Sequence, residues 1–108
     1  MTEKKFKIPG DKLIQLITPI GSCVASDMIT VHGKLVGFMY REDRYDNIDS
    51  GWRFFSGLED DEYVNNPANL MLYDVNTIAN YDPGIIPYLD MEIGCELERA
   101  GDGTFKRV

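Results

Sequence analysis

Leu35-Val36-Gly37-Phe38-Met39-Tyr40-Arg41 constrains the fold of this chain more than any other stretch. Side chains alternate across a strand, so Val36, Phe38 and Tyr40 point one way and Leu35, Gly37 and Met39 the other. Both sets lack charge and are mostly apolar. A strand of that kind belongs in the middle of a sheet, covered or flanked on both faces. The segment predicts a central strand over 35–41, entered through the turn His32-Gly33-Lys34.

The neighbouring elements follow from local chemistry. Glu42 to Gly51 reads as a ten-residue polar loop, and Trp52 to Phe55 as a second strand bounded by Gly51 and Gly57. Trp52 and Phe54 would face the core, leaving Arg53 at the rim among acids. Cys23 to Val31 reads as extended, with a break near Ser26-Asp27. Leu13, Ile14, Leu16 and Ile17 form an apolar run too short to separate helix from strand, with Asp11 placed to cap it. Residues 1–10 read as a loosely held arm.

Between residues 59 and 89 the signals are helical and short. Acidic residues from Glu59 suit the start of one helical turn ending at Val64. Asn66-Pro67 resembles a cap followed by a first-turn proline. Leu70 to Tyr73 is a short strand, and Asp74 is a good N-cap for a helix over Val75 to Tyr81. Asp82-Pro83 ends that helix and starts another, which Pro87 limits to about a turn.

The C-terminus predicts a hairpin. Ile93, Cys95 and Leu97 alternate with Gly94, Glu96 and Glu98. A turn over Arg99 to Gly103 sets Leu97 opposite Phe105 and Glu96 opposite Lys106, apolar with apolar and acid with base. The whole is α+β: a mainly antiparallel sheet with short helices around 59–89 and a C-terminal hairpin.

The length of 108 residues predicts a single domain over 1–108, and 44% hydrophobic with 27% charged residues is ordinary for one. The net charge of −7 is unevenly placed. Residues 1–40 carry five basic and three acidic groups, whereas residues 41–102 carry four basic and fifteen acidic ones. Such a region repels phosphate and anionic lipid, which argues against a nucleic-acid or membrane partner, and attracts cations. Neither the N-terminus nor any other stretch has the apolar run of a signal peptide or membrane span. Cys23 and Cys95 lie singly in apolar surroundings, as expected of reduced, buried residues in a cytoplasmic protein.

No catalytic set emerges. His32 is the sole histidine and sits in a turn. No P-loop is present, and one histidine with two distant cysteines serves zinc poorly. The carboxylates Asp43, Asp46 and Asp49, then Glu59, Asp60, Asp61 and Glu62, do not follow the calcium-loop pattern. The expectation is a non-enzymatic chain without a cofactor. Those seven acids, with Tyr45 or Tyr63 as aromatic anchor, are the expected partner-binding residues. The alternative is a regulatory domain that binds a small ligand or a divalent metal through the acids of 42–62.

A longer pattern runs through Gly21-Ser22-Cys23-Val24, Val36-Gly37-Phe38-Met39-Tyr40-Arg41-Glu42, Asp49-Ser50-Gly51-Trp52-Arg53-Phe54-Phe55-Ser56-Gly57, Asp74-Val75-Asn76-Thr77-Ile78 and Asn80-Tyr81-Asp82-Pro83. Over about residues 20–99 it resembles a family of small bacterial domains, the immunity-protein-33-like domain, grouped with predicted immunity proteins of polymorphic toxin systems. The resemblance implies a cytoplasmic protein that binds and neutralises a toxin. A toxin that is a nuclease would present a basic cleft, which the acidic region would complement.

Overall fold

A computed structural model describes residues 4–108. Six strands form one sheet: β1 (Ser22–Ser26), β2 (Phe38–Arg41), β3 (Asp49–Phe55), β4 (Leu70–Asp74), β5 (Glu96–Arg99) and β6 (Phe105–Arg107). Their order is β4-β1-β3-β2-β5-β6, and every pairing is antiparallel except β1 with β3. Three α-helices accompany them: α1 (Asp27–Thr30), α2 (Asp61–Asn65) and α3 (Val75–Tyr81). Short 3-10 turns cover Gly10–Lys12, Pro67–Asn69 and Pro83–Tyr88. The class is α+β.

The expected central strand lies between β3 and β5, but it is shorter than its apolar pattern. Leu35 is 58% exposed and Val36 fully buried, so the alternation starts only at Phe38. Gly37 is where it breaks. A Cβ there would stand 2.1 Å from the Ser56 carbonyl oxygen, so the backbones of the two segments meet only through glycine. β3 is correspondingly longer than expected and takes in Asp49 to Gly51, which shortens the polar loop before it. Gly51 adopts φ +89, and a Cβ on it would meet the Glu42 carbonyl oxygen at 2.4 Å.

One face of the sheet carries the core. Ala25, Met39, Trp52, Phe54 and Leu97 are buried beneath Ile29 of α1, Val75, Ile78 and Ala79 of α3, and Ile85 and Leu89 near the last 3-10 turn. The Trp52 indole donates to the Leu89 carbonyl at 3.1 Å, so its one polar group is satisfied. Asp60, Asp74 and Asp82 cap helical segments by accepting from the backbone N–H groups of Tyr63, Asn76 and Gly84. Each such cap is worth about 0.5–2 kcal/mol.

Several expectations need correction. Residues 27–30 are not extended: Ser26 accepts from the Met28 N–H and turns the chain into α1. The hairpin turn runs from Ala100 to Thr104, closed by the Ala100 N–H on the Thr104 carbonyl. Arg99 therefore faces Phe105, Glu98 faces Lys106 and Leu97 faces Arg107. The shift is two residues, which keeps every side chain on its expected face. Arg99 lies over the Phe105 ring at 4.6 Å, a contact that favours this register over the expected one. The last 3-10 turn continues through Pro87 to Tyr88 rather than stopping there.

The run Leu13 to Ile17 is neither helix nor strand. Asn76 and Asn80, one turn apart on α3, hold it by their side chains. Asn80 pairs with both backbone groups of Ile14, while Asn76 accepts from the Leu16 and Ile17 N–H groups. Of the N-terminal arm, residues 1–3 lie outside the described residues. Lys4 pairs with Asp27 at 2.8 Å, and the Lys7 N–H donates to the Thr30 carbonyl.

Candidate partner-binding surface

The residues expected to bind a partner fall into two groups, one at each end of β3. Seven residues of strand span roughly 20 Å. Asp43, Tyr45, Asp46 and Asp49 lie at or before its start, and Glu59 to Tyr63 follow its end. The stretch that looks continuous in sequence is thus split by the strand that runs through it.

The first group is organised by a buried arginine. Arg53 is 8% exposed, not at the rim. Its guanidinium donates to both oxygens of Asp49, at 2.9 and 2.7 Å, and to Glu42 at 2.6 Å. Asp49, itself 6% exposed, also accepts from the backbone N–H groups of Tyr45 and Gly51. The Arg53 hydrogen bonds hold its carboxyl far below the usual carboxylate range, against the opposing effect of burial. Asp49 is therefore committed to the fold and offers nothing to solvent. Asp46 is half committed: one oxygen accepts from the Ile48 and Asp49 N–H groups and shapes the loop. Asp43 and Tyr45 stand free, Tyr45 at 90% exposure.

The second group divides in the same way. Glu59 closes the turn after β3 by accepting from the Ser56 and Gly57 N–H groups, each at 2.9 Å. Partial burial raises its pKa, yet hydrogen bonds from Ser26 and Ser56 outweigh that and hold the carboxyl below its ordinary value. Asp60 is the N-cap of α2. Tyr63 is half-buried, with Ser26 and Met28 beside its phenol, whose pKa burial raises. Asp61 and Glu62 are exposed in the first turn.

A further surface lies between the two groups. On the face of the sheet opposite the core, Phe38 and Tyr40 of β2 and Phe55 of β3 are all half-buried. Tyr40 and Phe55 stack nearly parallel, 4° between planes at 6.2 Å, and Phe38 lies 5.7 Å from Tyr40. Two hollows share Phe38 and Tyr40. One, of about 690 Å³, runs past Phe55 to Glu59, Val64 and Glu98. The other, of about 470 Å³, runs past Glu96 to Glu42, Asp43 and Ile93. The signal for this face was in the alternation of β2 and β3, where the residues facing away from Met39, Trp52 and Phe54 are Phe38, Tyr40 and Phe55 with Arg53 among them.

His32 is exposed in its turn, and no cluster of three or more His, Cys, Asp or Glu side chains is placed to hold a metal among the described residues. Cys23 and Cys95 are free and buried. Among the described residues, no helix is long and apolar enough to cross a membrane.

Comparison with known proteins bears on the whole of this framework. No curated protein and no solved structure was found to match the chain significantly. The family model described as the immunity protein Imm33 domain matches residues 23–108, from the second residue of β1 to the last residue of the chain. That span takes in all six strands, the Arg53 node and both hollows, and on it the chain belongs to the Imm33 immunity-protein family.

Proposed function

We infer that this chain is a non-enzymatic, cytoplasmic immunity protein that neutralises a bacterial toxin by stoichiometric binding through its acidic surface. The observation that carries the reading is membership of the Imm33 family over residues 23–108. The net charge of −7 supports a partner with a basic surface, because complementary charge speeds encounter and suppresses wrong partners. Occlusion of the toxin's working surface, rather than chemistry on it, is the mechanism consistent with a chain that has one exposed histidine and no cofactor motif.

The expected binding residues fall into two kinds on this reading. Asp43, Tyr45, Asp61 and Glu62 are free to meet a partner. Asp46, Asp49, Glu59 and Asp60 act indirectly, by holding the loop and turn that present the others, and Tyr63 anchors α2. Cells making the cognate toxin domain should survive when the chain is co-expressed. Asp43→Lys combined with Asp61→Lys and Glu62→Lys should weaken that protection and flatten its salt dependence in vitro. Full protection and an unchanged salt slope in the triple variant would sink the assignment of these acids.

A further inference from the structure

We propose that the open face formed by β2, β3 and β5 is the docking surface for a lysine- or arginine-bearing segment of the protein partner. The proposal rests on the immunity reading for its partner and goes beyond it in naming the surface and the chemistry.

Three observations converge. The first is an aromatic platform, half-buried and partly open on the face away from the core. Phe38, Tyr40 and Phe55 form a contiguous aromatic cluster on the face away from the core, and hollows open on both sides of it. An aromatic cluster rimmed by polar groups is the usual composition of an interface centre.

The second is the sign of the rim. Glu59 and Glu98 border one hollow, and Glu42, Asp43 and Glu96 the other. Two arginines also line them, and only Arg99 meets a carboxylate. Arg99 donates to Asp82 and to the Val36 carbonyl, and Arg41 to the Ser50 and Met91 carbonyls. Lys106 stands across from Glu98 and offsets part of that charge. Arg53, across from Tyr40 on the same face, is bonded to Glu42 and offsets its charge, but among the described residues Asp43, Glu59 and Glu96 have no cation bonded to them. The phenol of Tyr40 has its pKa raised, first by burial and then by Glu42, with Arg53 opposing and Glu96 adding to the rise.

The third is that an aromatic face under negative potential selects a cation. A guanidinium or ammonium placed over the rings gains both the quadrupole of the ring and the carboxylates at its edge. Extended apolar or acidic ligands gain only one of these, or are repelled. The same face brings Asp43 and Glu59, from the two separated acidic groups, to opposite ends of one surface. The acids at the two ends of β3 thus serve one partner through the platform between them.

The test uses the full chain and two probes. In an NMR titration with a hexa-arginine peptide, the backbone amides of Phe38, Tyr40, Phe55, Glu96 and Glu98 should shift. A hexa-glutamate peptide should leave them unmoved. Glu96→Lys with Glu98→Gln, both at exposed positions, should weaken the arginine peptide about tenfold through the lost rim charge, with an unchanged melting temperature. Tyr40→Leu keeps apolar bulk, and should weaken it as well. Shifts confined to residues 43–48 or 60–62, no shift at all, or full affinity in both variants would overturn the proposal. The second probe is a candidate toxin domain from the source genome. If the wild-type chain binds it and the Glu96/Glu98 variant binds equally well, the face is wrong and the immunity reading stands. If the toxin domain does not bind while the arginine peptide maps to the face, the immunity reading fails and the cationic site stands.

Discussion

Replacing Arg53 with methionine should be among the most destabilising single changes in this protein, and its cost should depend on pH. The substitution keeps most of the apolar stem but removes the guanidinium. It leaves Asp49, with a side chain only 8% exposed, as a buried carboxylate supported by two backbone N–H groups alone. Removing one partner of a buried ion pair typically costs about 3–5 kcal/mol. The contact with Glu42, which is 51% exposed, adds little because solvent screens it. Against a total stability of roughly 5–15 kcal/mol for a domain of this size, the loss is a large share. Urea titration followed by the fluorescence of Trp52, the only tryptophan, reads it directly. The pH dependence has a definite sign. Asp49 has its folded pKa lowered below the unfolded value, so its contribution is present above about pH 4 and is lost as pH falls towards the folded pKa. In the variant the buried carboxyl is no longer held ionised, and protonation relieves it. The gap between wild type and Arg53→Met should therefore be widest at neutral pH and narrow towards acid. A cost below about 1 kcal/mol at pH 7, or a gap that widens in acid, would refute the view that the pair is buried and intact.

Four further outcomes follow from the same structure. Asp82→Ala strips Arg99 and the Val36 N–H of their shared acceptor and should cost about 3 kcal/mol by urea unfolding, whereas Asp90→Ala, at an exposed site, should fall within about 0.5 kcal/mol of wild type. Gly37→Ala should destabilise strongly, since its Cβ would collide with backbone at Ser56; Gly101→Ala meets nothing within 4 Å and should be close to neutral by thermal melt. Asn76→Ala with Asn80→Ala should release residues 13–17, seen as faster amide exchange there with the sheet unchanged. Burial pushes the Cys23 thiol far above its ordinary pKa, so Cys23 should resist thiol reagents until the protein is unfolded in urea.

How much of this could be read in advance depended on the kind of signal. Strands with strong alternation were legible, because Trp52 and Phe54 on one side and Met39 between Phe38 and Tyr40 leave few choices of face. Helix starts were legible wherever an Asp or Asn precedes the turn, as at Asp74, Asn66 and Asp82. α1 was not, since Met28-Ile29-Thr30 carries β-forming residues and the turn into it depends on one hydrogen bond from Met28 to Ser26. The hairpin register slipped by two because pairing rules fix the parity of faces more firmly than the length of a turn. The acids misled most. Charge in a sequence suggests solvent, yet Asp49, Glu59 and Asp60 spend their oxygens on the backbone or on Arg53. The candidate surface was hidden for the opposite reason: Phe38 and Tyr40 read as one face of a strand covered on both sides, and only the sheet's one-sided cover leaves them open.

The most direct measurement of the central claim is a calorimetric titration of this chain with a candidate toxin domain from the source genome, at two salt concentrations. Stoichiometric neutralisation through an acidic surface predicts one chain bound per toxin domain, an affinity that weakens as salt rises, and loss of toxin activity at the same equivalence point. No binding heat with full toxin activity, or inhibition at far less than one equivalent, would contradict it.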